Sequence, residues 1–288
     1  MPMTLSRRLP WPLAILLLVL CLPAGAADLY YLGQKLPDLQ RPWGSPEYQQ
    51  LIEALERIDK TQANALPRRS GEFTGPIYQR MVNEENFKPQ LNIYAPLELR
   101  QNEAREVLFR LKELMRLYFD FKAPQQPYGA EALGLMSYSL RQQAVLFSLT
   151  VEFWMTLSES EQTSAIRLQG LQETKDAAAM LTSSALDYLG LTKQFNREDL
   201  VLYGAELAKQ LPELYIHLRS EVRAQLLARV GELAEKHPYP EVRASMSSLL
   251  PVLAGIQQDV EKQLAQPPKT KPAAPALDLS APPATSAQ

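Results

Sequence analysis

Few side chains in this chain of 288 residues stand at spacings that chemistry could use. Its two histidines, His217 and His237, are not an i,i+4 pair, the spacing that puts two imidazoles on one helix face for a metal, so the sequence predicts no metal site and no cofactor. Glu213 precedes His217 by one helical turn, which would let a carboxylate orient a general base. The same spacing arises on any helix surface, and we read His217 as a helix-face histidine beside an acid. Asn83-Glu84-Glu85-Asn86 places two carboxylates on a loop, where they could do acid–base work or hold a divalent cation. No second acidic cluster completes such a site, and adjacent acids at a helix-to-loop transition are ordinarily solvated. Ser158-Glu159-Ser160-Glu161 reads as a capping box, and the sequence carries neither a Gly-x-Ser-x-Gly elbow nor a Gly-rich phosphate loop. The catalytic residues, if any, are unassigned.

Aromatic residues are concentrated between Tyr118 and Trp154. A hydrophobic pocket between helices would use such residues, with Tyr138, Phe147 and Trp154 as its lining. Core packing needs the same side chains at the same helical spacing, and it is the stronger reading.

The elements that must position these groups are helices. Ser45 followed by Pro46 reads as an N-cap with proline at the first helical position, opening a helix from Pro46 to about Ala63 with Tyr48, Leu51, Ile52, Leu55 and Ile58 on one face. A second begins near Pro96, with Val107, Leu108, Leu111, Leu114, Met115 and Tyr118 in a stripe and Glu106 and Arg110 paired across a turn. A third, about Ala130 to Leu157, is apolar around more of its circumference and belongs in the middle of a bundle. A fourth runs from the Ser158–Glu161 box to Leu189, where Gly190 supplies a left-handed stop. Asn196 caps a fifth, ended or kinked by Pro212. A sixth covers about Ser220 to Lys236, and a seventh runs from Pro240 to about Gln266 with a kink expected at Pro251. The predicted fold is therefore all-α, an irregular bundle or array of about seven helices in a single domain over 27–266.

Residues 64–95 break the pattern with Pro67, Gly71, Gly75, Pro76 and Pro89. The segment is long for a structureless loop, and Phe73, Ile77, Tyr78, Met81, Phe87, Leu91, Ile93 and Tyr94 would pin it on the bundle. Gln90 to Tyr94 alternates polar and apolar, as a short strand would.

Glu221-Val222-Arg223-Ala224 recurs as Glu241-Val242-Arg243-Ala244, and Pro240-Glu241-Val242-Arg243 resembles the turn into a helix of HEAT-type solenoid repeats. The resemblance covers about 30 residues, no third copy lies upstream, and it implies helical hairpins at the C-terminal end.

The two ends carry the address. Arg7 and Arg8 precede an apolar run from Leu13 to Leu22, and Ala24-Gly25-Ala26 offers the small residues of a cleavage site, so residues 1–26 read as a cleaved signal peptide. The run is about half the length a spanning helix needs, which disfavours a membrane span. Ser6-Arg7-Arg8 hints at a twin-arginine signal, and Cys21 at lipidation, but Pro10 and Leu20 stand where those pathways want other residues. Removing the signal takes two of the 30 Lys and Arg and none of the 32 Asp and Glu, leaving a formal net charge of −4, which disfavours nucleic acid as a partner. It also takes the only cysteine, Cys21, and with it any disulfide or thiol chemistry. From Pro267 to Gln288 six prolines stand among Ala, Ser and Thr, a composition that reads as a disordered tail.

These features predict an exported, soluble helical protein of the bacterial cell envelope, periplasmic or secreted, acting as a non-catalytic binding or scaffold protein on an envelope protein or cell-wall component. The alternatives are a carrier of a hydrophobic small molecule and a glycan hydrolase using paired Glu.

Overall fold

Leucine and aromatic stripes at helical spacing account for most of the architecture. The computed structural model describes residues 29–58, 65–119 and 127–265. The expected signal peptide at 1–26 and tail at 267–288 lie outside the described residues. A small antiparallel ribbon comes first, β1 (Tyr30–Tyr31) with β2 (Gln34–Lys35), turned by Leu32 at φ 48° and Gly33 at φ 80°. A hairpin this short needs two left-handed residues, and glycine occupies one of them without strain.

The helices follow: α1 (Ser45–Glu56), α2 (Gly75–Met81), a 3-10 turn (Glu84–Phe87), α3 (Lys88–Leu91), α4 (Leu97–Phe119), α5 (Gly129–Thr156), α6 (Glu159–Gln162), α7 (Ala165–Leu189), α8 (Arg197–Tyr215), α9 (Ser220–Lys236) and α10 (Pro240–Ala265). Each of the seven expected helices has its counterpart.

Three hairpins, α4/α5, α7/α8 and α9/α10, stack side by side. Within each the helices are antiparallel: Ser139 meets Met115 and Thr150 meets Gln101, the Tyr203 hydroxyl reaches the Ala185 carbonyl, and Gly231 of α9 faces Leu250 of α10. Between hairpins like runs with like. Ser137 bonds Gln210 and Phe147 stacks on His217, so α5 is parallel to α8, while Arg197–Glu241 and Tyr215–Gln257 make α8 parallel to α10. Phe119–Tyr188 links α4 to α7, and Arg219–Asp176 and Arg229–Asp187 run α9 along α7. The result is two layers, α4–α7–α9 and α5–α8–α10, the stacking of a short α-solenoid. The helical hairpin expected at the C-terminal end is present. Two more precede it without any copy of the Glu-Val-Arg-Ala motif, because stacking needs only matched apolar faces.

Helix α5 packs on α4, α7 and α8, and hence is apolar on several sides. Leu135, Leu140, Phe147 and Leu149 are buried against Leu111, Leu114, Leu186, Leu207 and Leu211 in one continuous core. Each such side chain contributes about 1.5–3 kcal/mol.

Local details depart from the sequence reading in instructive ways. Gly44, not Ser45, caps α1: its N–H donates to Glu47 at 2.8 Å, while the Ser45 N–H is taken by Glu103 of α4. The helix closes at Glu56, and residues 59–64 are outside the description. Arg110 pairs with Glu113 at 2.9 Å rather than with Glu106, since Glu113 lies one turn further on and Gln49 of α1 draws the guanidinium to that side. The Ser158–Glu161 box forms, but it caps the single turn α6, and Ser164 caps α7. Gly190 ends α7 at φ −73°, in the right-handed region, because a further turn bonded to Tyr188 follows rather than a reversal. Pro212 sits inside α8, which runs on to Tyr215, and α10 likewise continues through Pro251.

Of the 64–95 segment, the described residues 65–95 form a string of short turns pinned to the bundle. Tyr118 donates to Pro67 O at 2.8 Å, Arg69 N–H to the Glu131 carboxylate at 2.7 Å and Tyr78 to Glu131 O at 3.0 Å. Buried Gln90 and Gln142 exchange amide hydrogen bonds, at 2.7 and 3.3 Å. Ile77, Tyr78, Met81 and Phe87 are buried, but Phe73, Leu91, Ile93 and Tyr94 are not. The alternation at 90–94 makes no strand, since Gln90 and Leu91 belong to α3 and the chain then bends into α4.

Candidate functional site

Stacking the hairpins gives the array two unlike ends. Helices α5, α8 and α10 finish at one of them, where the links between hairpins lie and where α4 and α7 begin. Arg100 pairs with Glu152 at 2.8 Å and Gln101 bonds Thr150 at 3.1 Å, which brings the first turns of α4 beside the last turns of α5. Arg167 then lies over the Phe153 ring at 5.0 Å and carries the start of α7 to the same place.

Apolar side chains collect there without cover. Ile93 is 76% exposed, Tyr94 91%, Leu99 64%, Met155 75% and Ile166 84%. Single exposed apolar residues are normal on any protein, but several at one end, on three helices and the turn before α4, mark a contact surface. Ile166 stands off the Ala178–Leu181–Ala185 stripe that buries α7, and Met155 stands off the α5 face that carries Leu146, Leu149 and Thr150. These residues therefore contribute nothing to the core that sequence periodicity reads.

Within this end a cleft of about 220 Å³ opens between α4, α5 and α7, lined by Gln101, Thr150, Phe153, Trp154, Ile166 and Leu171 among others. Gly170 borders it with open space where a Cβ would stand. The volume suits one inserted side chain better than a lipid tail, since small-molecule pockets run to roughly 300–1,000 Å³.

The three aromatic residues singled out from the sequence occupy three different surroundings. Trp154 lines the apolar cleft. Phe147 is buried and stacked on His217, ring centroids 4.5 Å apart. Tyr138 stacks on Phe87 at 5.0 Å, donates to Asn83 O at 3.1 Å and lines a separate cleft of about 190 Å³ between α5 and α8. Burial pushes its hydroxyl up to about 12, so it stays a neutral donor.

The polar candidates serve the fold. Glu84 pairs with Arg141 at 2.7 Å and Glu85 with Lys88 at 2.6 Å, each carboxyl held below its usual range by hydrogen bonding to that cation. Asn83 caps the 3-10 turn and Asn86 is buried. His217 lies against Phe147, and burial, with Lys175 nearby, lowers its affinity for a proton. Among the described residues no cluster of three metal-ligating side chains exists, and no helix is long and apolar enough to cross a membrane. Compared with known proteins, the chain matches no family model, no curated protein and no solved structure.

Proposed function

We propose that this protein is a non-catalytic binding or scaffold protein of the bacterial cell envelope, exported by its N-terminal signal, that docks a partner protein on the apolar end of its hairpin array. The observation that carries the reading is the group Ile93, Tyr94, Leu99, Met155 and Ile166, all exposed at the end of the array that also holds a cleft, lined in part by Ile166, sized for one side chain. Interfaces of this kind concentrate their binding energy in an aromatic or aliphatic anchor seated in such a pocket. The small cleft volume favours this reading over a hydrophobic carrier.

A photo-cross-linking residue placed at Tyr94 or Met155 in cells should trap one and the same partner protein, and the same residue at exposed Glu235 on α9 should not. Ile93→Ser combined with Met155→Ser should abolish the cross-link while changing stability by no more than about 0.5 kcal/mol, as surface substitutions do. Equal labelling from all three positions would remove the proposal.

A further inference from the structure

The opposite end of the array is polar. There the 68–70 stretch, the start of α5, the α7–α8 turn and Tyr239 of the α9–α10 turn enclose a cleft of about 480 Å³. Among the described residues four formal charges line it: Arg68, Lys193, Glu131 and Asp199. They sum to zero, yet none of the two cations comes within the 4.0 Å of either carboxylate that an ion pair requires.

Each of three charges is instead held by its own neighbour. Glu131, only 5% exposed, accepts the Arg69 N–H at 2.7 Å. Asp199 accepts the Asn196 amide at 2.7 Å, and its own N–H is capped by Asn196 at 2.9 Å. Arg68 lies over the Tyr128 ring at 4.7 Å with its Nε buried and lacking a hydrogen-bond partner. Opposite charges in a partly dry cleft attract strongly, so keeping them apart costs stability unless a ligand carries the complementary pair. Burial raises the affinity of Asp199 for a proton against the pull of Asn196, and the neighbouring Glu131 charge raises it further.

We propose that this cleft binds a small zwitterion, a free amino acid or short peptide, with its amine set on Glu131 and Asp199 and its carboxylate on Arg68 and Lys193. A single anion would face two carboxylates and a polyamine two cations, whereas a net-neutral ligand of opposed ends meets complementary charge at both. The volume lies within the range of small-ligand pockets and has room for a dipeptide. A second cleft shares Ala130 and Asp199 and leads along α5 and α8 past Ser137 and Gln210, so a longer peptide could extend that way. The site is separate from the apolar end and does not depend on the partner proposed there.

Titration calorimetry of the purified protein tests this with L-Ala-L-Ala, D-Ala-D-Ala, N-acetylated L-Ala-L-Ala and L-Ala-L-Ala amide. The unblocked dipeptides should bind, and blocking either terminus should weaken binding by about tenfold or more, the loss expected when a charge-assisted hydrogen bond is removed. Asp199→Asn and Arg68→Gln should each weaken the unblocked dipeptide similarly, with thermal melting as the check on folding. Preference for the D,D form would assign the ligand to cell-wall stem peptides, and equal or L,L preference to ordinary amino acids and peptides. Absence of binding by every unblocked dipeptide at about 10 mM, or equal binding of blocked and unblocked forms, would overturn the proposal. The blocked analogues act on the unaltered protein, so that arm stands even if a variant fails to fold.

Discussion

His237 donates from Nε2 to the carbonyl of Leu189 at 2.8 Å, fastening the turn of the third hairpin to the last residue of α7 in the second. Its other ring nitrogen accepts the Tyr239 N–H at 3.1 Å, which fixes the tautomer with the proton on Nε2. The ring is 3% exposed, so both of its partners depend on it rather than on water. His237→Ala removes two hydrogen bonds and leaves a buried carbonyl and a turn N–H unpaired. We expect a loss of about 2–4 kcal/mol in urea unfolding, from the unpaired groups and the cavity together. A loss below about 0.5 kcal/mol would mean that water replaces the ring and that the hairpins are tied elsewhere.

The second histidine predicts a pH dependence. In the folded chain burial against Phe147, with Lys175 nearby, lowers the proton affinity of His217. The unfolded chain then binds its proton at a higher pH than the folded one, so stability falls as pH drops through the ordinary histidine value of about 6.5. Melting temperature should be flat above neutrality and decline between about pH 7 and 5, before the carboxylates begin to titrate. His217→Phe keeps the stacking and removes the proton, so its decline over that window should be shallower. An identical slope in both proteins would assign the effect to other groups.

Asn86 supports a third expectation. Its Oδ1 accepts the Trp43 N–H at 2.8 Å and a guanidinium N–H of Arg80, and its Nδ2 donates to Tyr48 at 3.0 Å and to Arg80 O at 2.8 Å. Arg80 is 6% exposed, and its remaining link is a 3.8 Å contact with Glu85. Asn86→Ala therefore strips a buried cation and a buried backbone N–H together, and we expect a cost of about 3 kcal/mol or more. Rapid amide exchange over 75–91 should accompany it, because this amide joins that segment to α1.

The legibility of these features follows their range in sequence. The long helices were readable because Leu111, Leu114 and Tyr118, or Leu200, Leu207 and Leu211, repeat at the helical period and are buried for that reason. Caps within four residues, such as Ser158 with Glu161 and Asn196 with Asp199, were readable too. Parallel stacking of the hairpins was not, since it rests on contacts such as Phe147 with His217 and Arg197 with Glu241 that carry no local pattern. The apolar end was hidden for a related reason. Met155 and Ile166 have the composition of core residues, and only their phase against their own helices leaves them outside. The polar cleft draws Arg68, Glu131, Lys193 and Asp199 from separate segments, so no motif could announce it.

Gly134 and Tyr78 give the sharpest test of how α2 sits on α5. A Cβ built on Gly134 would stand 2.2 Å from the Tyr78 hydroxyl oxygen and 3.5 Å from the ring carbon that bears it. That hydroxyl is buried and donates to Glu131 O at 3.0 Å, so it has no free direction in which to swing. Gly134→Ala alone should destabilise by about 1–3 kcal/mol through overpacking, despite the intrinsic gain from alanine within a helix. Tyr78→Phe alone loses one hydrogen bond and should cost about 0.5–1.5 kcal/mol. In the double variant the offending oxygen is gone, the nearest remaining atom is at ordinary contact distance, and the alanine recovers up to about 1 kcal/mol of helix propensity. The double variant should therefore be more stable than Gly134→Ala alone, with a coupling of about 1 kcal/mol or more in a double-mutant cycle. Strict additivity of the two losses would show that α2 moves away from α5 freely, and that the hydroxyl does not hold it there.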